Sequence, residues 1–214
     1  MKTLTSRILL LAVLIPCSLF SQQNSMGFGL KAGINFSNVV NASQINTSNQ
    51  AGFNAGFIMA PVSKSVIGSR TELLFSRQGY NYATASTTGA VNLDYIMLAQ
   101  LMSIRVTKFF EIQVGGQAAY LVSAKAGNSK QYTSNSQINS VIELYNRYDY
   151  GFAGGIEFHP IKGLLVGARY NISIPDLYKP PTFAPTDSIP SFIPSSPTIN
   201  LKNNLFQLYA GFRF

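Results

Sequence analysis

From residue 26 onward, apolar and polar residues alternate with a period of two along most of the chain. In residues 28–36, for example, the even positions are apolar and the odd positions are glycine, lysine or asparagine. A period of two indicates β-strands, because successive side chains of a strand point to opposite faces. The recurring pattern predicts strands at residues 26–37, 51–60, 66–80, 91–106, 110–125, 148–158, 164–174 and 204–214.

The segments between the predicted strands alternate between long and short. The long gaps fall at residues 38–50, 81–90, 126–147 and 175–203. The short gaps fall at residues 61–65, 107–109 and 159–163. Transmembrane β-barrels show this alternation because their periplasmic turns are tight and their extracellular loops are free to lengthen. The pattern predicts an all-β fold, an eight-stranded antiparallel up-and-down transmembrane β-barrel with both chain ends on the periplasmic side.

The two faces of the predicted strands differ in a way that indicates contact with lipid. A soluble barrel or sandwich buries its apolar face and carries its charges outside. Here the polar face is narrow, rich in glycine and carries both acidic and basic residues, which suits the crowded interior of a small barrel. The uniform apolar face suits hydrocarbon. We therefore predict a structural network of paired charges in the lumen, formed by Lys31, Arg70, Glu72, Glu111, Glu157 and Arg169.

The fourth predicted strand fits the alternation poorly. Asp94 and Gln100 share one parity, whereas Ser103 and Arg105 share the other. We expect a β-bulge near residues 100–103, since an extra residue there would bring all four polar side chains to the same face.

Aromatic residues cluster near both ends of the predicted strands. Tyrosines near the ends joined by long gaps are Tyr80, Tyr82, Tyr95, Tyr145, Tyr148, Tyr150, Tyr170 and Tyr178. Phenylalanines near the opposite ends are Phe28, Phe109, Phe110, Phe158, Phe212 and Phe214. We expect the two sets to form the aromatic girdles that membrane barrels carry at both interfaces.

The first 21 residues have the features of a secretory signal. Lys2 and Arg7 form a positive start, and residues 8–15 form an apolar core that small residues follow. This core is about half of the ~20 residues that a transmembrane helix requires. We predict a cleaved signal peptide at residues 1–21 and a single outer-membrane barrel domain at residues 22–214.

Cys17 is the only cysteine, and it lies in the predicted signal peptide. A lipoprotein acylation site is one interpretation, but Pro16 stands where such a site has Gly or Ala. We therefore interpret Cys17 as part of a discarded leader. The mature chain would then have no disulfide, thiolate metal site or cysteine nucleophile.

The formal net charge is +8, yet the basic residues are scattered singly rather than in runs beside aromatic residues. This distribution argues against nucleic acid as a partner and favours a membrane surface rich in anionic phosphate. We therefore expect contact with outer-membrane lipid, including lipopolysaccharide.

Catalytic chemistry has little support in the sequence. The only histidine, His159, lies in a short gap predicted to be periplasmic, whereas a Ser–His–acid set requires a positioned histidine. Paired carboxylates for hydrolysis would have to come from Asp94 and Asp149, and metal binding has few candidate ligands. We expect no enzyme activity, cofactor or metal. Two alternatives stay open: a barrel enzyme that modifies lipid A or peptides, and a secreted soluble barrel that binds an apolar ligand.

The longest gap, residues 175–203, holds seven of the chain's ten prolines. Proline favours extended, semi-rigid chain, so this loop either projects from the barrel or folds over its mouth. Because loops commonly carry function, we predict a loop that contacts a protein partner. Its candidate contact residues are Tyr178, Pro180, Pro181, Pro185, Pro190 and Pro194. The alternative is a protease-resistant cover that has no partner.

Four stretches of the chain carry a family resemblance. They are GLKAGIN at residues 29–35, LDYIMLAQL at 93–101, DYGFAGGIEF at 149–158 and YAGFRF at 209–214. The chain resembles the PorT-type outer-membrane β-barrel proteins of the Bacteroidetes over roughly residues 26–214. The resemblance implies residence in the cell outer membrane and an accessory role in protein export. Phe214 is similar to the terminal aromatic signal that the barrel-insertion machinery reads.

Overall fold

The computed structural model describes residues 26–40, 46–62, 65–83, 88–127, 142, 145–178 and 202–214. Eight antiparallel strands form one closed barrel, in which each strand pairs with its neighbour in sequence and the last pairs with the first. They are β1 (Met26–Val40), β2 (Asn46–Pro61), β3 (Ile67–Ala83), β4 (Thr88–Arg105), β5 (Phe110–Gly127), β6 (Tyr148–Phe158), β7 (Leu164–Ser173) and β8 (Lys202–Arg213). The prediction of an eight-stranded up-and-down barrel is therefore confirmed. None of the described segments forms a helix long and apolar enough to cross a membrane.

Large apolar side chains cover the outside of the barrel. Phe57 is 59% exposed and Phe152 is 64% exposed, whereas Ile58, which faces the lumen, is fully buried. Other exposed apolar residues on the strands include Phe28, Leu30, Ile34, Phe53, Leu73, Ile96, Leu98, Ile112, Val114, Ile156, Val166, Ile172, Phe206, Leu208 and Phe212. A soluble monomer rarely exposes so large a continuous apolar surface, so this face requires hydrocarbon around it.

The two ends of the barrel differ in their connections. Short turns at residues 62–66, 106–109 and 159–163 lie at one end, which we call the turn end. Two long loops, at residues 128–147 and 174–201, lie at the other end, which we call the loop end.

The other two connections at the loop end are much shorter than predicted. β1 and β2 leave only residues 41–45 between them, and β3 and β4 leave only 84–87. The strands continue past the apolar band with polar outward residues, and we had interpreted these polar stretches as loop. Gln50, which lies in the extension of β2, donates a hydrogen bond from Nε2 to Oδ1 of Asn92 at 2.5 Å.

The lumen contains a charged layer towards the turn end and an apolar layer towards the loop end. The charged layer includes the six residues predicted from the sequence, all of them buried. The apolar layer is a cluster that includes Leu74, Tyr80, Tyr82, Val91, Leu93, Tyr95, Met97, Leu121, Tyr145, Leu177, Tyr178 and Leu205. A uniformly polar interior was therefore a wrong expectation, because an apolar cluster fills part of the lumen beneath the long loops.

The predicted bulge near residues 100–103 is absent. β4 pairs with β3 in unbroken register along its whole length. The irregularity lies instead opposite β5, where Asp94 pairs with Ser123 and Tyr95 pairs with Leu121. β5 therefore has one extra residue, Val122, at this point. Such a β-bulge increases the local twist of the strand pair.

The polar residues of β4 accordingly lie on both sides of the wall. Ser103 is buried in the lumen, whereas Asp94 and Gln100 share the outward parity of the exposed Leu98. Asp94 pairs with Arg77 on the outer face, at 2.7 Å from Nε. The prediction was wrong because the inward positions of β4 are largely apolar, so polarity did not mark the lumen side.

The tyrosines divide between girdle and lumen. Tyr148, Tyr150 and Tyr170 are exposed on the outside, as predicted for a girdle. Five others, Tyr80, Tyr82, Tyr95, Tyr145 and Tyr178, are buried, so their assignment to the girdle was wrong. At the turn end, Phe28, Phe109, Phe158, Phe212 and Phe214 are all exposed.

A charge placed on the outer face should be costly in proportion to its depth in the apolar band. Leu98 lies on the outward face of β4, and Val106 lies just beyond the strand at the turn end. We predict that Leu98→Arg lowers the free energy of unfolding in lipid vesicles by about 2–4 kcal/mol, and that Val106→Arg lowers it by only about 0–1 kcal/mol. Urea unfolding followed by far-UV circular dichroism measures both; equal losses would contradict a lipid-facing Leu98.

Candidate functional site

Glu72 on β3 is the centre of the charged layer. Arg169 on β7 pairs with it through two hydrogen bonds, Nη1 to Oε2 at 2.7 Å and Nη2 to Oε1 at 2.9 Å. Lys31 on β1 donates from Nζ to Oε2 at 3.0 Å, and Nη1 of Arg70 lies 3.4 Å from Oε1. All four side chains are buried, so Lys31 and Arg169 depend on this carboxylate for compensation of their charge.

Glu157 on β6 is the second carboxylate of the layer. Both of its oxygens accept hydrogen bonds from the guanidinium of Arg70, each at 2.6 Å. The hydroxyl of Tyr209 donates to Oε2 at 3.1 Å. Glu111 lies at the edge, with Oε1 3.8 Å from Nη2 of Arg70. Charge-assisted bidentate pairs of this kind are the strongest hydrogen bonds available to a buried ion.

The structure thus brings together all six residues that the sequence assigned to the lumen. Three carboxylates face three cations, so this set of described residues is neutral overall. Neutrality matters because an unpaired charge in a lumen surrounded by lipid would carry a large desolvation cost.

Two members of the layer were missed in the sequence. Gln113 accepts a hydrogen bond from Nη2 of Arg169 at 2.7 Å. The ring of Tyr209 lies beneath Nζ of Lys31, with 3.5 Å between that atom and the ring centroid, which is a cation–π contact. Both residues occupy inward positions of their strands, so strand parity was the signal that could have identified them.

His159 lies in the short turn after β6, as predicted, and its side chain is half-buried against the charged layer. Its Nε2 atom lies 3.0 Å from Oε1 of Glu157 and 3.8 Å from Oε2 of Glu111. Ligand atoms of these three residues lie within 4.8 Å of one another, a spacing that could hold a metal ion. Because Arg70 already occupies both oxygens of Glu157, a metal would compete with a guanidinium, and the arrangement does not favour a metal site.

The carboxylates considered for hydrolysis are not brought together. Asp94 lies on the outer face with Arg77, whereas Asp149 accepts a hydrogen bond from Oγ of Ser173 at 2.7 Å near the loop end. The single histidine of the sequence, His159, lies at the turn end. A Ser–His–acid arrangement therefore does not form around Ser173 and Asp149.

Three buried tyrosines, which we call the tyrosine cluster, close the barrel at the loop end: Tyr80, Tyr145 and Tyr178. The Tyr80 and Tyr145 hydroxyls lie 3.0 Å apart, and the Tyr80 and Tyr178 hydroxyls are also hydrogen-bonded. The rings of Tyr145 and Tyr178 stack with 4.8 Å between their centroids. Burial raises the pKa of Tyr178 to about 12, so its phenol stays protonated at neutral pH.

The tyrosine cluster holds the bases of both long loops. Tyr145 precedes β6 and Tyr178 follows β7, and the two form an isolated antiparallel bridge. Asn146 reinforces it, since Nδ2 donates to the carbonyl oxygens of Asp176 at 2.6 Å and Tyr178 at 3.0 Å. The two loops are thus fixed to each other where they leave the barrel.

Only one of the predicted partner-contact residues falls within the described chain. Tyr178 is buried in the tyrosine cluster, so it anchors the loop and its assignment as a contact residue was wrong. Pro180, Pro181, Pro185, Pro190 and Pro194 lie outside the described residues.

The charged layer predicts unequal effects of two matched substitutions. Glu72→Gln leaves buried Lys31 and Arg169 without their carboxylate, so we expect a loss of about 3–5 kcal/mol in the free energy of unfolding. Glu111→Gln, the control, removes a carboxylate whose cation lies 3.8 Å away, and it should cost far less. The chain has no tryptophan, so circular dichroism in detergent micelles is the suitable measurement. Similar losses for both variants would show that Glu72 is not the centre of the layer.

Comparisons with known proteins give a family match and similar solved structures. The family model described as outer membrane protein beta-barrel domain matches residues 20–179. The solved structure of Neisserial surface protein A is 12% identical, covers 89% of this chain and 99% of its own, and gives a TM-score of 0.52. The attachment invasion locus protein Ail of Yersinia pestis is 16% identical, covers 90% of this chain and 100% of its own, and gives a TM-score of 0.49. No curated protein matches the chain.

The family match spans more than half of the chain, and the apolar outer surface agrees with it. In barrels of this class, short turns face the periplasm and long loops face the outside, so the turn end is periplasmic and the loop end is extracellular. The chain therefore belongs to the outer-membrane β-barrel protein family and resides in the cell outer membrane.

Proposed function

We propose that this protein is a non-catalytic outer-membrane barrel whose proline-rich extracellular loop, at residues 174–201, contacts a protein partner and thereby serves an interaction or assembly role. The observation that carries the proposal is the anchoring of both long loops by the tyrosine cluster. A loop whose base is already ordered loses less conformational entropy when it binds, so binding costs less free energy.

The filled lumen supports an interaction role over a transport role. Buried side chains of the charged layer occupy the periplasmic half, and the apolar cluster occupies the extracellular half. An eight-stranded barrel has an interior just wide enough for such side chains, whereas open channels belong to much larger barrels. A partner would therefore be engaged at the surface.

The extracellular rim offers suitable contact chemistry. Tyr148, at the extracellular end of the girdle, is 72% exposed beside the loop bases, and tyrosine is enriched at protein interfaces. The sequence that follows Tyr178 is rich in proline, a residue whose fixed φ reduces the conformational entropy that a chain loses on binding.

The sharper form of the proposal is an accessory role in protein export across the outer membrane. It rests on the resemblance to PorT-type barrels at the four stretches named above. Lipid and lipopolysaccharide would surround the apolar band, and the exposed Phe214 would be read by the insertion machinery. The alternative of a barrel enzyme for lipid A or peptides is not favoured, because Ser173 and Asp149 lie at the opposite end from the single histidine.

The loop proposal predicts a loss of interaction without a loss of folding. Deleting residues 179–201 in the native cell should abolish co-purification of the partner and reduce the amount of exported protein in the medium. The barrel itself should still shift on gels after heating, as folded barrels do. Deletion of residues 129–140 in the other long loop is the control and should leave both readouts unchanged. Normal export and unchanged co-purified proteins after the first deletion would refute the proposal.

A further inference from the structure

A cavity of about 410 Å³ opens at the periplasmic end of the barrel. It lies between the β4–β5 turn and the β6–β7 turn, and its size falls in the range of small-molecule binding sites. Arg105, Glu111 and Arg213 line it from the strand ends, and Lys108 and Lys162 line it from the two turns. A smaller adjoining cavity shares the same three strand residues.

The charges around this cavity are strongly unbalanced. Four cationic side chains line it, and Glu111 is the only carboxylate among the described lining residues. The carboxylates behind it, Glu72 and Glu157, are already paired with cations of the charged layer. A concave site with low-dielectric walls and one sign of charge focuses its potential, so the cavity attracts anions.

The rest of the lining combines Thr107, His159 and Gly163 with three large apolar side chains. Phe109, Phe110 and Ile161 line it beside the cationic groups. A ligand that satisfies both features carries an anionic group on an apolar or aromatic body. Arginine is suited to such an anionic group because its planar guanidinium can bind a carboxylate or phosphate through two hydrogen bonds.

Two sources of such an anion exist at the periplasmic face: a lipid headgroup and the free carboxylate of a polypeptide. A headgroup would approach from the outer surface of the barrel, whereas Arg105 and Arg213 occupy the inward parity of β4 and β8. The charged layer closes the cavity behind them, so a ligand enters from the periplasm along the barrel axis. This geometry favours the end of a chain over a lipid.

We propose that this cavity binds the C-terminal carboxylate of a periplasmic polypeptide whose last side chain is apolar. The carboxylate is bound by Arg105 and Arg213. The positive potential at the entrance is strengthened by Lys108 and Lys162. The terminal side chain contacts Phe109 and Ile161. The proposal concerns the opposite end of the barrel from the loops, so it stands whether or not the loops bind a partner.

The test is a titration of the full-length, detergent-solubilised protein with a fluorescent hexapeptide that ends in phenylalanine. We expect saturable binding of the free acid that weakens as salt is added, and at least about tenfold weaker binding of the same peptide with an amidated end. Equal binding of the acid and the amide would overturn the proposal.

Substitutions locate the site. The double variant Arg105→Gln/Arg213→Gln should weaken binding of the acid peptide by at least about tenfold. Arg147→Gln/Lys202→Gln removes the same charge at the loop end and should leave binding unchanged. A second double variant, Lys108→Gln/Lys162→Gln, changes only turn residues and should also weaken binding, so the test stands even if the arginine variant fails to fold. Binding that survives in both cavity variants would refute the site.

A competition experiment separates the two anion sources. Inorganic phosphate and micelles that contain an anionic phospholipid are added to the peptide complex. We expect the phospholipid to displace the peptide no better than phosphate at equal charge. Displacement by the phospholipid at far lower concentration would identify a lipid site and contradict the assignment to a polypeptide.

Discussion

The fold depends on one constraint: hydrocarbon surrounds the barrel, so every backbone polar group and every charge must be satisfied within the wall or the lumen. A closed barrel satisfies the backbone, because the pairing of β1 with β8 leaves no free strand edge. The side chains follow from the same constraint. Apolar groups such as Phe57 point outward, and buried ions such as Glu72 and Arg169 find their counter-ions across the lumen.

This constraint explains how much of the structure could be predicted from the sequence. A strand period of two reveals which residues share a face, and the lipid environment reveals which face is outside. The inward positions of Lys31, Arg70, Glu72, Glu111, Glu157 and Arg169 were therefore predictable one residue at a time. Their pairings were not, because Arg70 and Glu157 are 87 positions apart in sequence and meet only when the barrel closes.

The errors in the sequence analysis share a physical cause. We assumed that polar residues mark the lumen, and this rule fails wherever the lumen itself is apolar. The inward positions of β4 include Leu93 and Met97. Because these residues are apolar, the prediction placed their side of the strand outward. Tyr80 and Tyr178 pack inside the lumen in the same apolar layer, although tyrosine at a strand end suggests a girdle residue. The apolar character of a strand face does not by itself reveal whether that face fills the lumen or contacts lipid.

The division of the lumen also separates the functions proposed for the two ends. The tyrosine cluster fixes loop bases on the extracellular side, and the unbalanced cationic cavity opens on the periplasmic side. The charged layer lies between them, and the cavity and the tyrosine cluster share no residue. A partner at one end would thus leave the other end available.

The orientation of the strands in the bilayer can be measured directly with spin labels. With Cys17 replaced by serine, single cysteines at Phe57 and at its neighbour Ile58 are labelled in protein reconstituted into lipid vesicles. We expect the label at position 57 to collide frequently with oxygen dissolved in the lipid and rarely with a water-soluble nickel chelate. The label at position 58 should be shielded from both. The opposite result, with position 57 shielded from oxygen and position 58 open to it, would show that the apolar face does not point into the lipid.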